Sequence, residues 1–130
     1  MSLATFLAIG SGGFIGAVLR AYFNGLVNKN IEHDLPFGTL SINIIGSLLM
    51  GVIFVIAHET SLIPPHIRSF IATGILGAFT TYSTFAIETL ILFENKNYIL
   101  GFSNMALNLF GSIVAVAIGY KLTLMLIKGA

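Results

Sequence analysis

Residues Gly77–Leu90 read GAFTTYSTFAIETL. Five hydroxyl residues stand in a row there, Thr80, Thr81, Tyr82, Ser83 and Thr84, and an acid, Glu88, follows four residues later. The flanks, FIATGILGAF and LILF, are apolar. A polar run inside such a segment implies an interface bonded to other protein groups or a path for something polar, because hydrocarbon offers these groups no partner.

The whole chain has the same bias. Of its 130 residues, 56% are hydrophobic and 8% charged, and its mean hydropathy is +0.97. A soluble domain carries about 25% charged residues, so the surface of this one must face mostly lipid. The length suits one domain, residues 1–130. There is no cysteine, hence no disulfide framework and no thiolate metal site. A formal net charge of +1 points to no nucleic-acid partner. The start, MSLATFLAIGSGGF, lacks the basic region of a signal peptide and reads as a retained membrane helix.

Lys, Arg, Asp and Glu are absent from residues 1–19, 35–57, 69–87 and 97–120. Each run approaches the roughly 20 apolar residues that span a bilayer as a helix. The spacing predicts helices over about 3–25, 37–57, 66–93 and 98–127. Runs such as NIIGSLLMGVIFVIA lack the alternation of a membrane strand. Four spans put both termini on one side, with Arg68, Lys121 and Lys128; the other side holds Arg20, Lys29 and Lys96. This balance of three against three gives no orientation by loop charge. Either other signals orient the chain, or it inserts both ways and pairs as an antiparallel homodimer.

Residues three or four apart share a helix face. Gly12, Gly16 and Arg20 do so in the first span, Asn43, Ser47 and Gly51 in the second, and Asn104, Asn108 and Ser112 in the fourth. Small residues let membrane helices approach closely, and Asn or Ser can bond between helices. The same amides and hydroxyls can also donate to an ion. In the third span, Gly74 and Gly77 stand just ahead of the hydroxyl run, and two glycines followed by Thr80 and Thr81 weaken the helix. A break there frees carbonyls, for example of Gly77 and Thr80, of the kind that hold Na⁺. The alternative is an unbroken helix whose Ser and Thr bond back to their own carbonyls. Tyr82 and Phe85, at i and i+3, are a packing pair or a pair of rings whose positive edges touch an anion. Glu88 is a carboxylate reaching water or an intramembrane functional acid.

The donors and the cation Arg20 suit a small anion; Glu88 leaves a cation route open. His33, His58 and His66 are scattered over loops without metal-ligand spacing, and no Walker, HExxH or Ser-His-acid motif is present. An enzyme is not expected.

Three motifs give the chain a likeness: GGFIGAVLRAY (12–22), PFGTLSINIIGSLLMG (36–51) and GILGAFTTYSTFAIET (74–89). In that order and spacing they resemble the Fluc (CrcB) family of fluoride channels along essentially the whole chain. The resemblance implies an all-α protein of a prokaryotic plasma (inner) membrane, with four spans and a break in the third. It implies an antiparallel dual-topology homodimer with two pores, which carry fluoride passively, reject chloride and confer fluoride resistance. Fluoride that enters as HF and dissociates inside would leave this way. By motif, Asn43 is the pore asparagine and Arg20 lies near an aqueous vestibule. Tyr82 and Phe85 occupy the aromatic-box positions, and Thr81, Ser83, Thr84 and Glu88 belong to the polar track of the third helix. The resemblance places a structural Na⁺ on backbone carbonyls of Gly77 and Thr80 from both subunits, with no organic cofactor. The chain departs from the family where Tyr82 replaces the usual Phe, and where Asn104 and Asn108, followed by Ser112, stand in place of Tyr and Ser on the fourth helix. A proton-coupled multidrug exporter of four helices would show the same charge balance, with Glu88 as its acid.

Overall fold

The computed structural model describes residues 1–129. Helix α1 (Leu3–Asn30) starts at Ser2, whose hydroxyl accepts the Thr5 N–H at 3.2 Å, a side-chain cap for a donor left free at a helix start. After a short loop, Pro36 leads into α2 (Phe37–Glu59). The third span is composite: α3 (Pro65–Arg68), a π-helical segment (Ser69–Leu76), α4 (Gly77–Phe79) and α5 (Tyr82–Glu94). Helix α6 (Tyr98–Lys128) closes the chain. The four spans Leu3–Asn30, Phe37–Glu59, Pro65–Glu94 and Tyr98–Lys128 are each long and apolar enough to cross a membrane.

Two pairings organise the bundle. Helix α2 lies along α6, and α1 lies along the π segment and α4. Both are backbone-close. A Cβ on Gly51 would stand 2.8 Å from the Tyr120 nitrogen, and one on Gly16 would stand 3.0 Å from the Ile75 Cα. The glycines that share faces in the sequence are therefore the points where helices touch, as small residues allow in lipid. The α2 and α6 ends are also joined by an ion pair between Glu59 and Lys128, at 2.7 Å.

The third span changes partners midway. Its first half rides on α1, whereas α5 packs on α6. The change falls at Thr80 and Thr81, whose backbones are extended (ψ 155° and 116°). The break, expected over Gly77–Thr80, falls at the C-terminal edge of that stretch, and the glycines themselves stay helical. Gly77 keeps helical angles (φ −62°, ψ −36°), and Gly74 serves close packing, since a Cβ there would stand 2.9 Å from the Gly12 Cα. The first helix also runs to Asn30, five residues past the expected end at 25.

The interior is as polar as it is apolar. Leu35, Ile42, Val55, Leu76, Phe79, Leu92 and Ala115 are buried, and so are Thr39, Asn43, Thr81, Thr89, Asn104, Asn108 and Thr123. Large apolar residues such as Phe14, Phe102, Phe110 and Leu126 point outward. This is the distribution of a helix bundle in lipid, where apolar side chains gain nothing from hiding and polar ones must find partners. The chain is a multi-pass membrane protein.

Candidate functional site

The break is made by side chains. At its start the Thr80 N–H still reaches the Leu76 carbonyl (3.1 Å), and the Thr80 hydroxyl bonds the same oxygen (3.1 Å). The next N–H, of Thr81, leaves the helix and donates to Asn43 Oδ1 at 2.9 Å. Asn43 Nδ2 donates back to the Thr81 carbonyl at 3.1 Å. One amide from α2 thus satisfies both backbone groups of an extended residue, as a neighbouring strand would. Thr81 then caps α5, its hydroxyl accepting the Thr84 N–H at 3.2 Å and donating to Thr84 Oγ1 at 2.9 Å. Buried backbone outside regular structure is tolerated at membrane depth when it is satisfied in this way.

The carbonyls of Gly77 and Thr80 are among those that lose helical partners as a result. An α-helix would give the Gly77 carbonyl the Thr81 N–H and the Thr80 carbonyl the Thr84 N–H, but both donors are bound elsewhere. The Thr80 oxygen is 3.5 Å from Arg20 Nη1, so the half-buried cation of α1 lies at the break.

A cavity of about 480 Å³ opens beside the break. It gathers Asn43, Thr80, Thr81, Tyr82, Phe85, Asn108 and Ser112 from three spans, together with Ser47, Met50 and Met105. The Tyr82 and Phe85 rings meet edge to face, centroids 5.5 Å apart at 66°, an arrangement that aromatic quadrupoles favour. Tyr82 is 82% exposed, so one wall of the cavity is open to the outside of the chain. Ser83 and Thr84 do not reach this cavity: Ser83 is exposed and Thr84 belongs to the cap. Asn104 is fully buried behind it.

Glu88 lies one and a half turns further along α5 and lines a separate cavity of about 220 Å³ with Asp34, Pro36, Asn95 and Asn97. Its Oε1 and the Thr39 hydroxyl are neighbours, both shielded from solvent, in a geometry short of a hydrogen bond. The sequence reading passed over Thr39 and Thr89. Thr39 extends the Asn43–Ser47–Gly51 stripe by one turn toward the N-terminus, which was a usable signal. Thr89 accepts from Asn104 Nδ2 at 2.9 Å, and only the fold brings these two together.

A family described as CrcB-like protein, Camphor Resistance (CrcB), matches residues 7–120. The chain belongs to the CrcB family. A protein of Sulfurimonas denitrificans named fluoride-specific ion channel FluC is 51% identical over 120 residues, covering 92% of this chain and 93% of that one. A FluC of Nautilia profundicola is 51% identical over 121 residues, 93% of this chain and 94% of its own length. One of Clostridium perfringens is 43% identical over 116 residues, covering 89% and 91%. For this member of the CrcB family, the matched residues include the broken helix, the asparagine that pins it and the aromatic pair.

Proposed function

We infer that the chain is a fluoride channel, carrying the ion passively across the membrane and rejecting chloride. The observation that carries this reading is 51% identity, over 92% of the chain, to a relative named for that specificity. The chemistry of the cavity supports it. A small, strongly hydrated anion must be resolvated as it sheds water. Around the break stand amide N–H groups of Asn43 and Asn108, the hydroxyl of Ser112, and the ring edges of Tyr82 and Phe85. Arg20 adds a fixed positive charge beside Thr80. We place the ion's path along this wall, with Thr81, Ser83, Thr84, Glu88 and Asn104 continuing it along the polar side of α5 and α6. At its far end, Asp34 and Glu88 line a polar mouth.

The open wall at Tyr82 supports a second copy of the chain as the missing side. Three positive residues toward each side favour copies of opposite orientation in a prokaryotic inner membrane. Sodium fits the break. The Gly77 and Thr80 carbonyls are oxygen donors without helical partners, the ligand type that unwound membrane helices offer Na⁺. One chain offers two such oxygens and a second copy would offer two more. Bound Na⁺ would supply positive charge that holds the two breaks together.

The test is efflux from liposomes containing only this protein, read with fluoride- and chloride-selective electrodes. Fluoride should leave down its gradient while chloride stays. Fluoride efflux no faster than from empty liposomes would refute the reading.

A further inference from the structure

The hydrogen bonds behind the cavity form one directed chain. The Thr81 N–H donates to Asn43 Oδ1 (2.9 Å), and Asn43 Nδ2 donates to Asn108 Oδ1 (2.9 Å). Asn108 Nδ2 donates to Asn104 Oδ1 (3.0 Å), and Asn104 Nδ2 to Thr89 Oγ1 (2.9 Å). The Thr89 hydroxyl ends the chain on the Phe85 carbonyl (2.8 Å). It begins and ends on backbone of the same segment, passing through α2 and α6 between.

Its direction is set at the Thr81 end. A backbone N–H is only a donor, so Asn43 must present its oxygen there and its NH₂ to Asn108. The same constraint then passes to Asn108 and Asn104. Turning any one amide over would set two NH₂ groups, or two oxygens, against each other. At the far end Thr89 must accept, and its own proton must go to Phe85, whose carbonyl only accepts. A side chain with no hydroxyl at 89 would leave the Asn104 NH₂ without this acceptor and loosen the hold of Asn104 on Asn108, while Asn43 stays fixed by the Thr81 backbone.

We propose that Thr89 is a positioning residue for anion conduction, holding the Asn104 amide and, through it, the Asn108 amide on the cavity wall. The inference rests on the fluoride-channel reading. Thr89 is buried and lies outside the cavity wall, so an effect of its hydroxyl on flux must travel through its partners. Asn108 also bonds the Asn104 carbonyl (3.0 Å) and Asn43 the Thr81 carbonyl (3.1 Å). Both amide protons of Asn43 and both of Asn108 therefore go to protein oxygens, and an ion borrows one only by displacing such an oxygen.

The experiment is fluoride efflux from liposomes for Thr89→Val, Thr89→Ser, Asn104→Ala and the double variant Thr89→Val with Asn104→Ala. Thr89→Val keeps the shape and loses the hydroxyl; it should cut flux about tenfold, the effect of one buried partner lost. Thr89→Ser should restore flux to within about threefold of the parent, since the hydroxyl that both accepts and donates is back. The double variant should conduct no worse than the poorer single one, because both changes cut the same chain. Parent-like flux in Thr89→Val, a Ser variant as poor as Val, or losses that multiply would overturn the proposal. Should Thr89→Val not fold, Asn104→Ala alone decides: parent-like flux there overturns it. A parent protein that passes no fluoride would instead overturn the channel reading.

Discussion

Replacing Asn43 with Leu is the most searching perturbation of the break. Leu is of similar size but offers no hydrogen bond. Three buried groups would lose their partner at once: the Thr81 N–H, the Thr81 carbonyl and Asn108 Oδ1. An unpaired buried group costs about 1 kcal/mol at the low end, so the three together cost about 3 kcal/mol. Side-chain hydrogen bonds measured between membrane helices average about 0.6 kcal/mol, which gives about 1.8 kcal/mol for three. With about 1.4 kcal/mol per power of ten, the equilibrium constant for the pinned break falls between about 20-fold and about 140-fold. Fluoride flux should fall by up to that factor, since conduction needs the break in place. The assay is initial efflux per reconstituted protein, with Ser11→Ala as control, because Ser11 is exposed and bonds only carbonyls of its own helix. Flux in Asn43→Leu within threefold of the parent would refute the claim that Asn43 holds the break.

Other outcomes follow from the same geometry. Tyr82→Phe keeps a ring edge against Phe85 and Tyr82→Ile does not, so flux should rank Phe above Ile; the reverse order would remove ring edges from the mechanism. Gly16→Val places a branched side chain against the Ile75 backbone and should lower the melting temperature in detergent, overpacking costing about 1–3 kcal/mol. Gly13→Ala, with nothing within 4 Å of the added carbon, should melt like the parent. Replacing all Na⁺ with a bulky organic cation should reduce fluoride flux, and re-addition should restore it; flux indifferent to sodium would argue against a cation on the Gly77 and Thr80 carbonyls.

The spans were legible because charge is so rare that its gaps delimit each helix. The glycine stripes were legible too, since spacing of three or four puts them on one face, and Gly12, Gly16 and Gly51 all meet backbone. The break was legible in place, over Gly77–Thr80, but not in cause. Locally, Gly74 and Gly77 are the weakest helix formers, yet they remain helical. The chain opens at Thr80 and Thr81 because an amide 38 residues earlier in the sequence competes for the Thr81 N–H. No local propensity reports that contact. The polar track was visible as residue types, but its wiring was not: Asn104 and Asn108 read as donors for an ion, and the fold shows their protons going first to protein oxygens. The π-helical turns were invisible for a similar reason, as Ser69–Leu76 has the apolar composition of any membrane helix.

That π segment has a consequence for how the third span is aimed. In an α-helix each residue turns the chain by about 100°. A π-helix bonds one residue further along and so needs an extra residue to complete a turn. Everything after Leu76 therefore arrives out of phase with the α-helix that the same sequence would otherwise make. The lag lies just upstream of Thr81, which meets α2, and of α5, which packs on α6. Segment length here acts as a dial. Removing one residue between Ser69 and Leu76 would let the stretch relax toward ordinary helix and swing the hydroxyl run about a quarter-turn around its axis. Every side chain of the cavity wall would still be present in the chain, facing the wrong neighbour.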